Sequence, residues 1–168
     1  MIILIPAYKP DQSLVRLAHA LKAQDASAEI LVIDDGSSST YAPIFAELHL
    51  DGAIVRTHPV NRGKGAALRT GIEWAQTNRP GEILVTADAD GQHLPQDIFR
   101  VGVRAESLAA SGQRAIVLGV RTLPDPDAGE EGTRVPLRSK VGNSATVGFF
   151  ALATGKHVAD TQTGLRAF

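Results

Sequence analysis

Five short runs of almost unbroken apolar residues punctuate this chain: "IILIPAY" (2–8), "EILVID" (29–34), "AIVRTH" (53–58), "EILVTAD" (82–88) and "AIVLGV" (115–120). A strand with one wet face alternates apolar and polar residues, so runs without alternation predict strands buried on both faces. Between them lie stretches with helical spacing. In 11–24, Leu14, Leu17, Ala18 and Leu21 fall on one face, and Asp11 stands where a cap belongs. A weak helix is predicted over 41–49, and another from about Gly65 to Thr77 with Ala67, Leu68, Gly71, Ile72 and Ala75 on one face. Pro95 opens a helix to about Ala110, since proline suits a first helical turn. Strand and helix alternating in this way predict a three-layer α/β/α fold with a mostly parallel central sheet.

In such sheets ligands bind beyond the carboxyl ends of the strands. The polar clusters fall there: Pro6-Ala7-Tyr8, Asp34-Asp35, Asn61 to Gly65, Asp88 to His93, and Arg121. Five separate segments converging on one edge predict a site.

Composition narrows the chemistry. Net charge is −1, so no global field draws nucleic acid, and anion binding must be local. Cysteine is absent, which removes disulfides, thiolate zinc sites and thiol nucleophiles. The N-terminal run is too short, and lacks the basic leader, to read as a secretory signal, and no run approaches the ~18 apolar residues of a membrane span. No G-x-S-x-G element is present.

The most informative stretch is "VTADADGQHLP" (85–95). If it stays extended through "ADAD", Asp88 and Asp90 point to the same side, and Gln92 joins them. Two carboxylates and an amide oxygen make a hard oxygen site suited to Mg²⁺ or Mn²⁺, with positions left for water and phosphate. The calcium-loop pattern does not fit, because its glycine and glutamate places hold His93 and Phe99. The competing reading is a polar turn with a helix cap, and His93 reads more readily as a neighbour of the site than as a ligand. "VIDDGSS" offers carboxylates either to cap a turn or to receive a base or ribose. In "NRGKGAALRTG", Gly63, Lys64 and Gly65 precede a helix, which is either a tight turn with a solvated lysine or a phosphate-binding turn. Leu68 stands where a dinucleotide fingerprint needs its third glycine, and the P-loop spacing is also missing.

After Arg121 the chain changes character. "LPDPDAGEEGT" (123–133) reads as a mobile loop, 135–155 as a helix, and 160–168 as a polar stretch that stops at no natural end of an element. Arg121, Arg134, Arg138, Lys140 and Arg166 are either solvated surface charges or the cations of a second anion site.

Taken in order, "IPAYKPD", "VIDDGSS", "NRGKGAALRTG", "ADADGQH", "LGVR", "LRSKVGN" and "DTQTGLRAF" resemble the family 2 glycosyltransferases of GT-A fold. They look most like the branch similar to dolichol-phosphate mannose synthase and bactoprenol glucosyltransferases, of the kind associated with GtrA-like membrane proteins. The resemblance implies metal-dependent, inverting transfer of a sugar from a UDP- or GDP-sugar to a polyprenyl phosphate. It implies action at the cytoplasmic face of a membrane, with Mg²⁺ or Mn²⁺ as cofactor, a GtrA-like protein as a further partner and no nucleic acid. A family 2 transferase acting on a sugar or polysaccharide hydroxyl, and a non-catalytic nucleotide-sugar-binding module, are the alternatives.

Carried over position by position, the resemblance places Pro6, Ala7, Tyr8, Ile33, Asp35, Lys64, Asp88, Ala89 and Arg121 at the nucleotide sugar, and Asp90 and Gln92 on the metal. Arg134, Arg138 and Ser139 fall at the acceptor phosphate, and Asp88, Asp160 and Arg166 near the reaction centre. It divides one domain into a nucleotide-sugar half (1–92) and an acceptor half (93–168) with a loop at 123–134, and it implies C-terminal truncation, because family domains continue past this point. One departure stands out: Lys9-Pro10 replaces the acidic pair usual after "AY".

Overall fold

A computed structural model describes residues 1–119 and 164–168 of the chain. The first strand, β1 (Ile2–Ala7), lies inside the sheet, between β2 (Glu29–Asp34) and β4 (Leu84–Thr86), parallel to both. Beyond β2 lies β3 (Ile54–Thr57), again parallel. Two short strands, β5 (Val117–Leu118) and β6 (Arg166–Ala167), complete a sheet of order β3-β2-β1-β4-β6-β5, with β6 antiparallel to β4.

Alternation along the strands splits the core into two layers. Ile3, Ile5, Ile30 and Val32 pack with residues of α1 (Gln12–Gln24), α2 (Ala42–Leu50) and α4 (Pro95–Ala110). Their neighbours Ile2, Leu4, Leu31 and Ile33 pack with Ala67 and Ala75 of α3 (Lys64–Asn78). Both faces of β1 and β2 are therefore dry, which is why these strands read as continuous apolar runs. Each such side chain contributes about 1.5–3 kcal/mol on burial. The three-layer α/β/α arrangement with a mostly parallel sheet follows as expected.

Helix boundaries also match their signals. The Asp11 carboxylate caps α1 by accepting the Ser13 amide at 2.7 Å, and Leu14, Leu17, Ala18 and Leu21 are buried. Pro95 starts α4, which buries Ile98, Val101, Gly102 and Ala105. Met1–Val117 and Gly164–Phe168 together form one compact unit. The helix expected over 135–155 and the loop at 123–134 lie outside the described residues.

Three expectations change. Strand β4 spans only Leu84–Thr86, so "ADAD" is not extended; the chain turns at Ala89-Asp90. In that turn Asp90 Oδ1 accepts the Gln92 amide at 3.0 Å, and Gly91 takes φ +73°, a conformation that favours glycine. The fifth apolar run is paired only at Val117–Leu118 among the described residues. The last residues of the stretch read as polar join the sheet and core: Leu165 and Ala167 are buried, and Phe168 exchanges backbone hydrogen bonds with Leu84 at 2.9 and 3.1 Å.

Candidate active site

The carboxyl ends of β1, β2 and β4, with the first turn of α3, enclose a cavity of about 450 Å³. Pro6, Ala7, Tyr8, Asp35, Asn61, Lys64, Ala67, Asp88, Ala89 and Asp90 line it. Four of the five polar segments expected at this edge thus meet around one space. The fifth, at Arg121, lies outside the described residues, as do Arg134, Arg138, Ser139 and Asp160.

The three carboxylates in this wall, Asp35, Asp88 and Asp90, differ in exposure and in what holds them. Asp88 sits two residues past β4 and is partly exposed. Its Oδ1 receives Lys64 Nζ, from the first residue of α3, at 2.5 Å. His93 Nε2 lies 3.6 Å from Oδ2, an ion-pair separation rather than a hydrogen bond. His93 and Lys64, working against partial burial, hold the Asp88 carboxyl far below the usual carboxylate range. Asp88 is therefore a fixed anion. The repulsion it would suffer from Asp90 is offset by Lys64.

Asp35 is almost wholly buried, at 2% exposure. Its Oδ1 lies 2.7 Å from His58 Nδ1 and accepts the Arg62 amide at 3.0 Å; its Oδ2 accepts the Gly63 amide at 2.7 Å. Burial raises this carboxyl, and the His58 ring with the two amides outweighs it, leaving it below the ordinary value. Both oxygens are thus engaged by the protein, and Asp35 organises the 59–63 loop as well as lining the cavity.

Asp90 is exposed; its Oδ1 is used by the Gln92 amide, and its Oδ2 has no hydrogen-bond partner among the described residues. Gln92 follows it, also exposed, and is absent from the cavity wall. Arg166 lies on β6 opposite Thr86, exposed, and does not line the cavity. Ile33 corrects the residue-by-residue reading. It is completely buried in the α3-side core, and its backbone pairs with Pro6 on one side and Arg56 on the other, so its side chain serves packing.

Sequence reasoning passed over Asn61 and Ala67 as individual lining residues, and over His58. For His58 the signal lies in the strand register, which the sequence alone does not give. Asp34 pairs with Thr57, so one step further along both strands sets Asp35 beside His58. The backbone is itself unusual here: Lys9, next to Tyr8, has φ 51°, the positive value of a non-glycine residue, and its amide donates to Ser37 Oγ at 2.9 Å.

The fold is shared with glucosyl-3-phosphoglycerate synthase from Mycobacterium tuberculosis, with a TM-score of 0.64 at 17% identity over 99% of this chain and 55% of that one. It is thus a GT-A-like α/β fold. The family model for glycosyl transferase family 2 matches residues 2–131, and the chain belongs to that family. It is 31% identical over 180 residues to UDP-N-acetylglucosamine–dolichyl-phosphate N-acetylglucosaminyltransferase of Methanococcus voltae, covering 99% of this chain and 68% of that protein. It is 30% identical over 171 residues to polyprenol monophosphomannose synthase of Mycolicibacterium smegmatis, covering 99% of this chain and 60% of that protein. A 33% identical relative in Methanocaldococcus jannaschii, uncharacterized, is matched over 63% of its length. The chain spans 60–68% of the length of these three relatives.

Proposed function

We propose that this chain carries the donor site of a glycosyltransferase that moves a sugar from a UDP- or GDP-sugar to a polyprenyl phosphate. The observation that carries the reading is the cavity at the sheet's carboxyl edge, where a fixed anion, a lysine and an exposed carboxylate stand together: Asp88, Lys64 and Asp90. The names of the relatives in Methanococcus voltae and Mycolicibacterium smegmatis support the acceptor class.

Pro6, Ala7, Tyr8 and Asn61 form walls for the nucleoside, beside the Asp35-anchored loop. Asp88, ionised at any working pH, accepts hydrogen bonds from donor hydroxyls next to Ala89. Lys64, on the first turn of α3, offers positive charge to the diphosphate, together with the helix N-terminus. Among the described residues no three His, Asp or Glu side chains converge as a closed metal cage. In this reading Asp90 and Gln92 would supply the protein oxygens of an open magnesium- or manganese-type site, with the donor and water supplying the rest. A divalent cation held by Asp90 and Gln92 would supply neutralising charge for the nucleoside diphosphate.

A phosphate monoester needs no general base, since its second pKa near 6 leaves it ionised at neutral pH. Transfer then rests on positioning two anions, with inversion by direct displacement. In this reading Arg121, Arg134, Arg138, Ser139 and Arg166 serve the phosphates and Asp160 lies near the reaction centre. Association with a membrane face and with a GtrA-like protein belongs to the same proposal; no helix among the described residues is long and apolar enough to cross a membrane.

Product analysis tests the reading. With Mn²⁺ and labelled UDP- or GDP-sugars, label should enter polyprenyl phosphate and not oligosaccharide acceptors. Transfer to a sugar hydroxyl alone would overturn the acceptor assignment.

A further inference from the structure

We propose that His58 is the positioning residue of the donor site: it holds the Asp35 carboxylate in the orientation that receives the Arg62 and Gly63 amides, and so fixes the loop from which Lys64 reaches Asp88. The inference rests on the reading of this cavity as the donor site. His58 stands immediately after β3 and is 6% exposed. Its Nδ1 lies 2.7 Å from Asp35 Oδ1, and its Nε2 lies 2.9 Å from Thr70 Oγ1 on α3. One ring thus spans from the carboxyl end of the sheet to the helix whose first residue is Lys64.

The protonation pattern follows from the partners. Asp35 is ionised and accepts only, so Nδ1 carries a hydrogen and donates it. Nε2 then accepts from the Thr70 hydroxyl in the neutral ring, or donates to it in the charged one. A hydroxyl serves either need, so the Thr70 contact is satisfied with either ring form. A buried polar ring is costly unless fully satisfied, and an apolar side chain would fill the same space without that cost. What the histidine adds is direction: it aims Asp35 Oδ1 at one partner set and leaves Oδ2 for the Gly63 amide.

Two substitutions separate positioning from packing. Asparagine places an amide donor near the position of Nδ1, and glutamine near that of Nε2. His58→Asn should therefore keep slow hydrogen exchange at the Arg62 and Gly63 amides, and keep the Kd for UDP or GDP with Mn²⁺ within about threefold of the parent. His58→Gln should lose that protection and weaken nucleotide binding about tenfold, while exchange in β1 and β2 stays unchanged. Equal losses in both variants, or parental protection in His58→Gln, overturn the proposal. If His58→Gln fails to fold, Thr70→Val decides, with faster exchange at Arg62 and Gly63 supporting the clamp and unchanged exchange overturning it. A parent protein that binds no nucleotide would remove the donor-site reading, and the exchange comparison would still judge the clamp.

Discussion

Gly164 lies against Asp88 so closely that a Cβ added there would overlap the Asp88 carboxylate. The Thr86 hydroxyl holds Gly164 in place by donating to its carbonyl at 2.8 Å. Asp88 and Gly164, 76 positions apart in the chain, therefore pack directly against each other behind the site's wall.

Gly164→Ala should act mainly on the donor site. The obstructing atoms belong to the end of a short side chain, which can rotate. The cost is at the low end of overpacking, about 1 kcal/mol, or a fall in Tm of about 2–4 °C. Rotation takes Asp88 off Lys64, so nucleotide-sugar affinity should drop about tenfold. Calorimetry on both proteins measures the two effects; a variant with parental affinity contradicts the arrangement.

Lys64→Met divides stability from binding. The Lys64 side chain is 57% exposed, so its ion pair with Asp88 contributes at most about 1 kcal/mol to folding. Diphosphate affinity should fall about tenfold. Denaturant titration and nucleotide titration of the same variant report the contrast, and a large stability loss with unchanged binding would reverse it.

Asp35 sets a pH dependence with a definite sign. Its carboxyl titrates lower in the folded chain than in the unfolded one. The stability it contributes is therefore fully present above the unfolded value near 3.9, and is lost as pH falls below that toward the folded value. Asp35→Asn should cost about 1.5–3 kcal/mol at pH 7, and the gap to the parent should narrow in acid melts as pH falls below about 4. A gap that widens in acid is the opposing result.

Lys9→Gly probes backbone strain beside the cavity. A non-glycine residue at φ 51° pays roughly 1–2 kcal/mol, and glycine loses roughly 0.5–1 kcal/mol more chain entropy on folding. The variant should be neutral or up to about 1 kcal/mol more stable by thermal melting. A clear loss would mean that the lysine side chain, 5.1 Å from the Tyr8 ring, holds the segment.

Much of this was legible in the chain because the signals were local. Asp11 with its apolar spacing marked α1, Pro95 marked α4, and the doubly buried strands announced themselves as unbroken runs. The segments Pro6–Tyr8, Asp35, Lys64 and Asp88–Asp90 were placed at one edge by strand polarity alone. What was not legible depended on distant partners. Strand β6 has two residues, too few for a period, and exists because Leu165 and Ala167 find the core beside β4. Strand β4 ends early because Asp90 and Gly91 make a turn, where extrapolating the apolar run kept it straight. Ile33 precedes an acidic pair at the site yet faces α3, and His58 gains its meaning only from the register that sets it beside Asp35.

The central claim, a metal-dependent nucleotide-sugar site at this edge, meets its most direct test in a thermal-shift panel of UDP and GDP, each with and without Mn²⁺, on the parent chain and on Asp90→Ala. The account predicts that one nucleotide with Mn²⁺ raises Tm in the parent and that the rise disappears in Asp90→Ala. No shift with either nucleotide, or an undiminished shift in Asp90→Ala, would contradict it.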